Sequence, residues 1–210
     1  MLKQRIITAL VLLALLLPAF VAKTAEPLAG MTLLLIAAAA WEWGRLNGLT
    51  MRGSLRVAGL CLILCFYAWS AKWAYSMPPY IWPVAGSLWV LAGAWVIRMG
   101  VSRWINIPKV IRIVVGVLAL WLTWLALYHA KVIGLNFLLS ALFLVWMADI
   151  AAYFSGRKFG AHKLAVAISP GKSWEGVWGG MAGELPFQFL RPWASPTVAR
   201  LKYAHQGVIR

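Results

Sequence analysis

Six apolar runs, each long enough to cross a lipid bilayer as a helix, constrain the fold of this chain more than any other feature. A run of about 20 apolar residues spans the hydrocarbon core as a helix. Inside a bilayer the backbone must satisfy its own hydrogen bonds, and these runs lack the alternation of strands. We therefore predict an all-α, polytopic transmembrane fold of about six spans. The predicted spans are Ile6–Ala22, Leu28–Trp43, Val57–Trp73, Ile81–Ile97, Val110–Tyr128 and Leu135–Phe154.

The composition excludes a soluble domain. Of the 210 residues, 63% are hydrophobic and only 12% are charged, whereas a soluble domain carries about 25% charged residues. A net charge of +15 would indicate a nucleic-acid partner in a soluble protein. Here the cations lie between apolar runs, so we expect the lipid bilayer as a partner and no nucleic acid. Cys61 and Cys65 share one helix face inside the third run, where buried core positions are the expectation.

The basic residues predict the orientation of the spans. Lys and Arg number 2, 1, 3, 1, 4, 1 and 4 in the successive segments that join the apolar runs, starting from the N-terminus and including Lys72 and Arg112 at the ends of two runs. Since basic residues concentrate on the cytoplasmic side, we expect the N-terminus and the segment after Phe154 to be cytoplasmic, with the chain in the inner membrane. Several tryptophans, Trp43 among them, lie near predicted helix ends, where interfacial belts form.

Three segments follow from this pattern. Residues 1–154 form the transmembrane region, and residues 155–183 form a cytoplasmic loop with the start of a further helix. This seventh apolar segment begins at Val177, includes a small-residue stretch suited to close packing, and is interrupted by Glu184 and Pro186. Residues 184–210 lack a coherent period and form an atypical tail.

The stretch from Asp149 to Gly176 carries the polar chemistry. Asp149 is the only aspartate in the chain and lies in apolar sequence; such a carboxylate is costly and is usually functional, although a structural partnership with a cation is the alternative. On a helix it shares a face with Tyr153 and Gly156. The cations that follow suit an anionic ligand, yet any cytoplasmic loop carries similar charges. They are Arg157, Lys158, Lys163 and Lys172.

The end of this stretch predicts a helix N-terminus. Ser173 is suited to cap a helix that begins near Trp174, with Glu175 in its first turn. The free N–H groups of such a terminus favour phosphate. Lys172 follows a glycine, as in a phosphate-binding loop, but a valine replaces the first glycine of that motif. His162 is expected to be a solvated loop residue, because no second His or Cys is near enough to share a metal.

The run D-x-x-A-Y-x-x-G-R-K-F-G-x-H-K-L, followed by I-S-P-G-K-S-W-E-G, resembles the bacterial phosphatidate cytidylyltransferases, the CDP-diacylglycerol synthases of phospholipid biosynthesis. The resemblance implies a membrane nucleotidyltransferase whose partners are CTP and phosphatidate and whose cofactor is Mg²⁺. It leaves a homodimer possible. By match to the motif, the implied catalytic residues are Asp149, Lys172 and Glu175. The implied nucleotide- or phosphate-binding residues are Arg157, Lys163, Lys172 and Ser173, and Asp149 is the best candidate for a metal ligand.

The sequence departs from that family's pattern after Gly183. The family's Pro-Gly-His-Gly-Gly and Asp-Arg-x-Asp signatures are not present. We therefore expect a truncated member with little activity alone. Two alternatives stay open from the residues: a transporter gated by Asp149, and a non-catalytic membrane fragment. A transporter should carry polar groups in several helices and repeat symmetry, which the runs before Asp149 do not show.

Overall fold

The fold is helical throughout, apart from one short hairpin. The computed structural model describes residues 2–104, 106–166 and 169–188. Four of the six predicted spans fall within helices of this described chain, and most of the helices extend beyond the predicted ends. The helices are α1 (Leu2–Val21), α2 (Glu26–Leu46), α3 (Met51–Ser70), α4 (Trp73–Ser76), α5 (Ile81–Trp104), α6 (Lys109–Ile133), α7 (Leu135–Phe159) and α8 (Trp174–Gln188). The first predicted span passes the end of α1 by one residue, and the third passes the end of α3 at Ser70.

Five of these helices, α2, α3, α5, α6 and α7, are long and apolar enough to cross a membrane. The remaining predicted span lies in α1, which has 20 residues. The prediction of an all-α, polytopic membrane protein is therefore confirmed. The sequence did not predict α4, a single turn between the third and fourth long helices.

The chain divides into two compact units, and the first comprises Met1–Pro83 and Ile107–Leu135. Its core lies between α2, α3 and α6. Small side chains let these helices approach closely, as is usual in membranes. The two cysteines are fully buried in this core, as predicted. Fully buried core residues include Ala29, Ala40, Cys61, Cys65, Trp124 and Leu125.

Tryptophan indoles join the helices of this first unit. A buried N–H without an acceptor is costly, and for three of these tryptophans a backbone carbonyl of another helix accepts the indole hydrogen, whereas the buried indole nitrogens of Trp41 and Trp82 have no such acceptor among the described residues. These bonds run from Trp43 to Arg112 O (3.1 Å), from Trp121 to Leu64 O (3.2 Å) and from Trp124 to Ala29 O (3.0 Å). Trp43 lies near the end of α2, and its expected place in an interfacial belt stays a prediction. It is partly buried in the contact between α2 and α6, because Gly116 leaves room for its ring.

Gly116→Ala should therefore destabilise the protein. A Cβ at Gly116 would overlap the Trp43 indole, and overpacking of this kind costs about 1–3 kcal/mol. Gly59→Ala in α3 is the matched control, because no heavy atom lies within 4 Å of its Cβ position and alanine favours helix. Thermal unfolding in detergent should show a lowered midpoint for the first variant only. Equal midpoints for both variants would contradict this packing.

The second unit comprises Val84–Asn106 and the chain from Asn136 onward. In α5, Gly100 adopts φ 73° and ψ 170°; this left-handed region favours glycine, and the helix kinks there. Helix α7 continues to Phe159, five residues past the predicted end of its span. The proposed boundary after residue 154 therefore lies inside α7, and Arg157 and Lys158 are helical.

A β-hairpin replaces the loop that the sequence predicted after α7. Strand β1 (Lys163–Ala165) pairs antiparallel with β2 (Ser169–Ser173), and Lys163 lies opposite Ser173. Helix α8 follows β2 directly and begins at Trp174, as predicted. It runs past the predicted interruption at Glu184 to Gln188. The rest of the proposed tail, from residue 189, lies outside the described residues.

Candidate functional site

A glycine-lined contact between α7 and α8 positions the candidate site. A Cβ at Gly176 would stand 3.1 Å from the Ala152 carbonyl oxygen, and one at Gly183 would stand 2.5 Å from the Ala151 Cβ. Gly180 approaches the backbone of α7 similarly, and Gly179 lies against a serine of α7. No larger side chain fits at these positions without a shift. The close-packing helix predicted from the small residues is thus confirmed, and it fixes where α8 begins.

Ser173 lies where β2 meets α8. Its Oγ accepts a hydrogen bond from the Gly176 N–H (3.2 Å), which confirms the predicted N-cap. Its side chain is buried beneath the end of α7, where Cβ atoms at Gly156 and Gly160 would stand 3.2 Å and 2.8 Å from the same Oγ. The hydroxyl is therefore used in the junction. Its implied role in binding phosphate stays a prediction.

Glu175 and His162 form a contact that the sequence did not predict. The Glu175 carboxylate accepts the backbone N–H of His162 at 3.1 Å (Oε1) and 3.3 Å (Oε2). Its Oε1 also lies 2.7 Å from the imidazole Nδ1. In return, the Trp174 N–H donates to the His162 carbonyl (2.9 Å). The N–H and the carbonyl of His162 thus both bind the start of α8, which joins it to the segment before β1. The expectation that His162 is a solvated loop residue misses this pairing, although its side chain is 81% exposed.

This contact lowers the pKa of Glu175. The His162 side chain, followed by the backbone N–H of Glu175 itself, holds the pKa of the carboxyl at about 2, below its ordinary 4.5. A depressed carboxyl pKa stabilises the fold above the ordinary pKa, and that contribution is lost as pH falls through the folded value. The shift therefore extends the ionised range of Glu175 into acid and leaves its charge at neutral pH unchanged.

We expect His162→Ala to raise the pKa of Glu175 toward 4.5, because it removes the largest cause of the shift. The measurement is the ¹³C titration of labelled glutamate carboxyls in detergent micelles. The Glu175 signal is assigned by its loss in Glu175→Gln, and Glu184→Gln serves as the assignment control. An unchanged titration midpoint in His162→Ala would show that the imidazole does not control this carboxylate.

Asp149, Tyr153 and Arg157 form one row along α7, each separated from the next by about one turn. The Arg157 Nη1 donates to the Tyr153 hydroxyl (3.2 Å). The Asp149 carboxylate is exposed, and no described residue forms a hydrogen bond or an ion pair with it. The structure therefore brings the predicted Asp149 and Arg157 onto the same helix face and leaves the carboxylate available.

Two lysines of the predicted site lie on the two strands of the hairpin. Lys163 pairs with Ser173, and Lys172 directly precedes Ser173 in β2, in the stretch where the register between the strands shifts. Both lysines are exposed, and within the described chain neither has a hydrogen bond or an ion pair. Each is therefore free to contact an anion.

The described residues contain no preformed metal centre. No group of three or more His, Cys, Asp or Glu side chains among them is placed to hold a metal, and Glu175 already binds His162. Mg²⁺ commonly takes one or two carboxylates and completes its shell with water and ligand phosphates. The exposed Asp149 carboxylate is free for such a role, and Mg²⁺ binding there stays a prediction.

The described chain thus combines helices long and apolar enough to span a membrane with an exposed carboxylate on α7 and two exposed lysines in the hairpin. Residues 3–204 match the model of the Cytidylyltransferase family. The chain belongs to this family, which makes it a nucleotidyltransferase, as the motif resemblance predicted. This membership favours an enzyme over the transporter alternative. The match includes residues 184–204, beyond the point where the motif resemblance ends.

The curated relatives are phosphatidate cytidylyltransferases. The protein from Pseudomonas aeruginosa is 36% identical over 188 residues, which are 87% of this chain and 67% of the relative. The protein from Haemophilus influenzae is 56% identical over 63 residues, 30% of this chain and 20% of the relative. The one from Staphylococcus saprophyticus is 46% identical over 55 residues, 26% and 21% of the two chains. The chain thus aligns with about two thirds or less of each relative's length. No solved structure matches it.

Proposed function

We propose that this protein acts as a CTP:phosphatidate cytidylyltransferase, which makes CDP-diacylglycerol for phospholipid biosynthesis. The observation that carries the proposal is the match to the cytidylyltransferase family over residues 3–204. In the reaction, a phosphate oxygen of phosphatidate attacks the α-phosphorus of CTP. The bond between the α-phosphorus and the bridging oxygen to the β-phosphate breaks, and pyrophosphate leaves with that oxygen.

Transfer between two anions depends on positioning and on neutralising charge. Lys172 suits this task because it is exposed, has no described partner and lies two residues before α8. The N-terminus of that helix adds a partial positive charge. Arg157, held by Tyr153 on α7, and Lys163 on the other strand of the hairpin are further phosphate contacts in this proposal.

Mg²⁺ belongs to the same proposal. When bound, it supplies charge neutralisation on the triphosphate, and Asp149 is the described side chain that would hold it. Protein side chains supply the rest. The exposed cations bind and orient the phosphates, and the buried junction at Ser173 keeps the hairpin in place.

We place the hairpin on the cytoplasmic face of the inner membrane. The alternation of basic residues supports this orientation, and CTP is a cytoplasmic compound. The bacterial relatives agree with a membrane of this kind. The N-terminus would then lie on the same side as the hairpin.

Cysteine labelling tests this orientation. Thr24→Cys is exposed beyond the end of α1, and Gly171→Cys in β2 has no heavy atom within 4 Å of its Cβ position. Gly160 is unsuitable, because a Cβ there would meet the Gly156 carbonyl. The native cysteines are buried and should react little. A membrane-impermeant maleimide applied to spheroplasts should label position 24 and not position 171. Labelling of both positions would refute the six-span orientation.

Lys172→Ala should weaken CTP binding. A charge-assisted contact to phosphate contributes about 1.5–3 kcal/mol, which corresponds to roughly ten- to hundred-fold in affinity. Lys23→Ala, another exposed lysine that the predicted orientation places on the opposite side, is the matched control and should bind CTP normally. Equal affinity in both variants would remove Lys172 from the nucleotide site.

The activity itself is tested by incorporation of radiolabelled CTP into lipid, with phosphatidate and Mg²⁺, in reconstituted membranes. The proposal predicts that the protein binds CTP in preference to ATP, and that any labelled lipid formed is CDP-diacylglycerol. Binding without nucleotide preference, together with no labelled lipid, would overturn it.

A further inference from the structure

We infer that Glu175 is a positioning residue, which clamps the base of the hairpin to α8 through the peptide of His162 and does not touch the substrate. The consequence for CTP rests on the proposed function, whereas the clamp rests on geometry alone. The motif resemblance implied a catalytic Glu175, and it assigned no role to His162.

The Glu175 carboxylate already accepts hydrogen bonds from the protein itself. Both oxygens accept the His162 N–H, and Oε1 also meets the imidazole. Turning the carboxylate toward a ligand would break these contacts and leave the His162 N–H without this partner. A free carboxylate facing a triphosphate would also repel it. The observed arrangement avoids both costs.

The clamp closes the open end of the hairpin from both strands. His162 immediately precedes β1, and Trp174 immediately follows β2. The Trp174 N–H donates to the His162 carbonyl, and Glu175 accepts the N–H of the same residue. These two hydrogen bonds extend the pairing of the hairpin to the first turn of α8. Because α8 is packed on α7 through glycines, the clamp transmits that fixed position to Lys163 and Lys172.

Backbone contacts carry most of this clamp. The imidazole is 81% exposed, whereas the Glu175 side chain is 23% exposed, so solvent competes most with the ring contact. Truncating His162 would keep its backbone N–H and carbonyl bonds. Glu175→Gln would keep an oxygen that accepts the N–H but would lose the charge. Glu175→Ala would lose every contact of the carboxylate. The clamp thus predicts an order of effects that a substrate contact would not produce.

The test compares Glu175→Ala, Glu175→Gln and His162→Ala with Glu184→Gln, a control carboxylate on the same helix. Hydrogen exchange of the reconstituted protein is followed by mass spectrometry over residues 162–174, without substrate. We expect roughly tenfold or faster exchange in Glu175→Ala. The increase should be smaller in Glu175→Gln, smallest in His162→Ala, and absent in the control.

The second readout is steady-state kinetics with CTP in the active protein. Misplaced lysines should raise KM for CTP more than they lower kcat, with Glu175→Gln rescuing most of the loss. If Glu175→Gln abolishes turnover while exchange in the hairpin is unchanged, Glu175 contacts the reacting groups and the clamp proposal is wrong. If Glu175→Ala does not fold, unchanged exchange in Glu175→Gln would likewise contradict the clamp proposal. Absence of both CTP binding and lipid product in the unmodified protein would refute the proposed function, and the exchange measurement would still decide the clamp.

Discussion

The close contact between α7 and α8 is the interaction on which the candidate site depends. Glycines on α8 let its backbone lie against the carbonyls of α7. In a membrane, where apolar side chains gain little by leaving lipid, such close backbone approach is a main source of helix association. Ser173 is buried at the start of this contact and caps α8. The contact between α7 and α8 and the Ser173 cap therefore fix both ends of the hairpin, and with them the positions of its lysines.

The charged groups of the site fall into two sets: one binds within the protein, and the other is free to bind a ligand. Glu175 is ionised, with its pKa held at about 2 by His162 and by the backbone, and its charge is used within the protein. The exposed Asp149 and the exposed lysines have no partner in the described chain. A site that must hold anionic phosphates needs its cations free and its carboxylates either paired or bound to a metal. The lysines of the hairpin meet the first requirement, and His162 meets the second for Glu175. The Asp149 carboxylate stays free for a metal.

The sequence alone predicted the elements that depend on neighbouring residues along the chain. The apolar runs gave the long helices, Ser173 gave the cap, and the small residues after Trp178 gave the packed helix. The pairing of His162 with Glu175 could not be predicted, because it joins residues 13 apart across a hairpin where the sequence predicted a loop. The pairing of Lys163 with Ser173, next to Lys172, depends on the same hairpin. The hydrogen bond of Trp43 could not be predicted either, because its acceptor lies 69 residues away, on α6.

Ligand-induced protection from hydrogen exchange tests the central claim most directly, namely that the hairpin and the start of α8 receive CTP. The reconstituted protein is titrated with CTP and, separately, with ATP, and exchange is followed along the whole chain. The account predicts saturable slowing by CTP within residues 169–176, with a much weaker effect of ATP. Protection confined to other segments, or no difference between the two nucleotides, would contradict it.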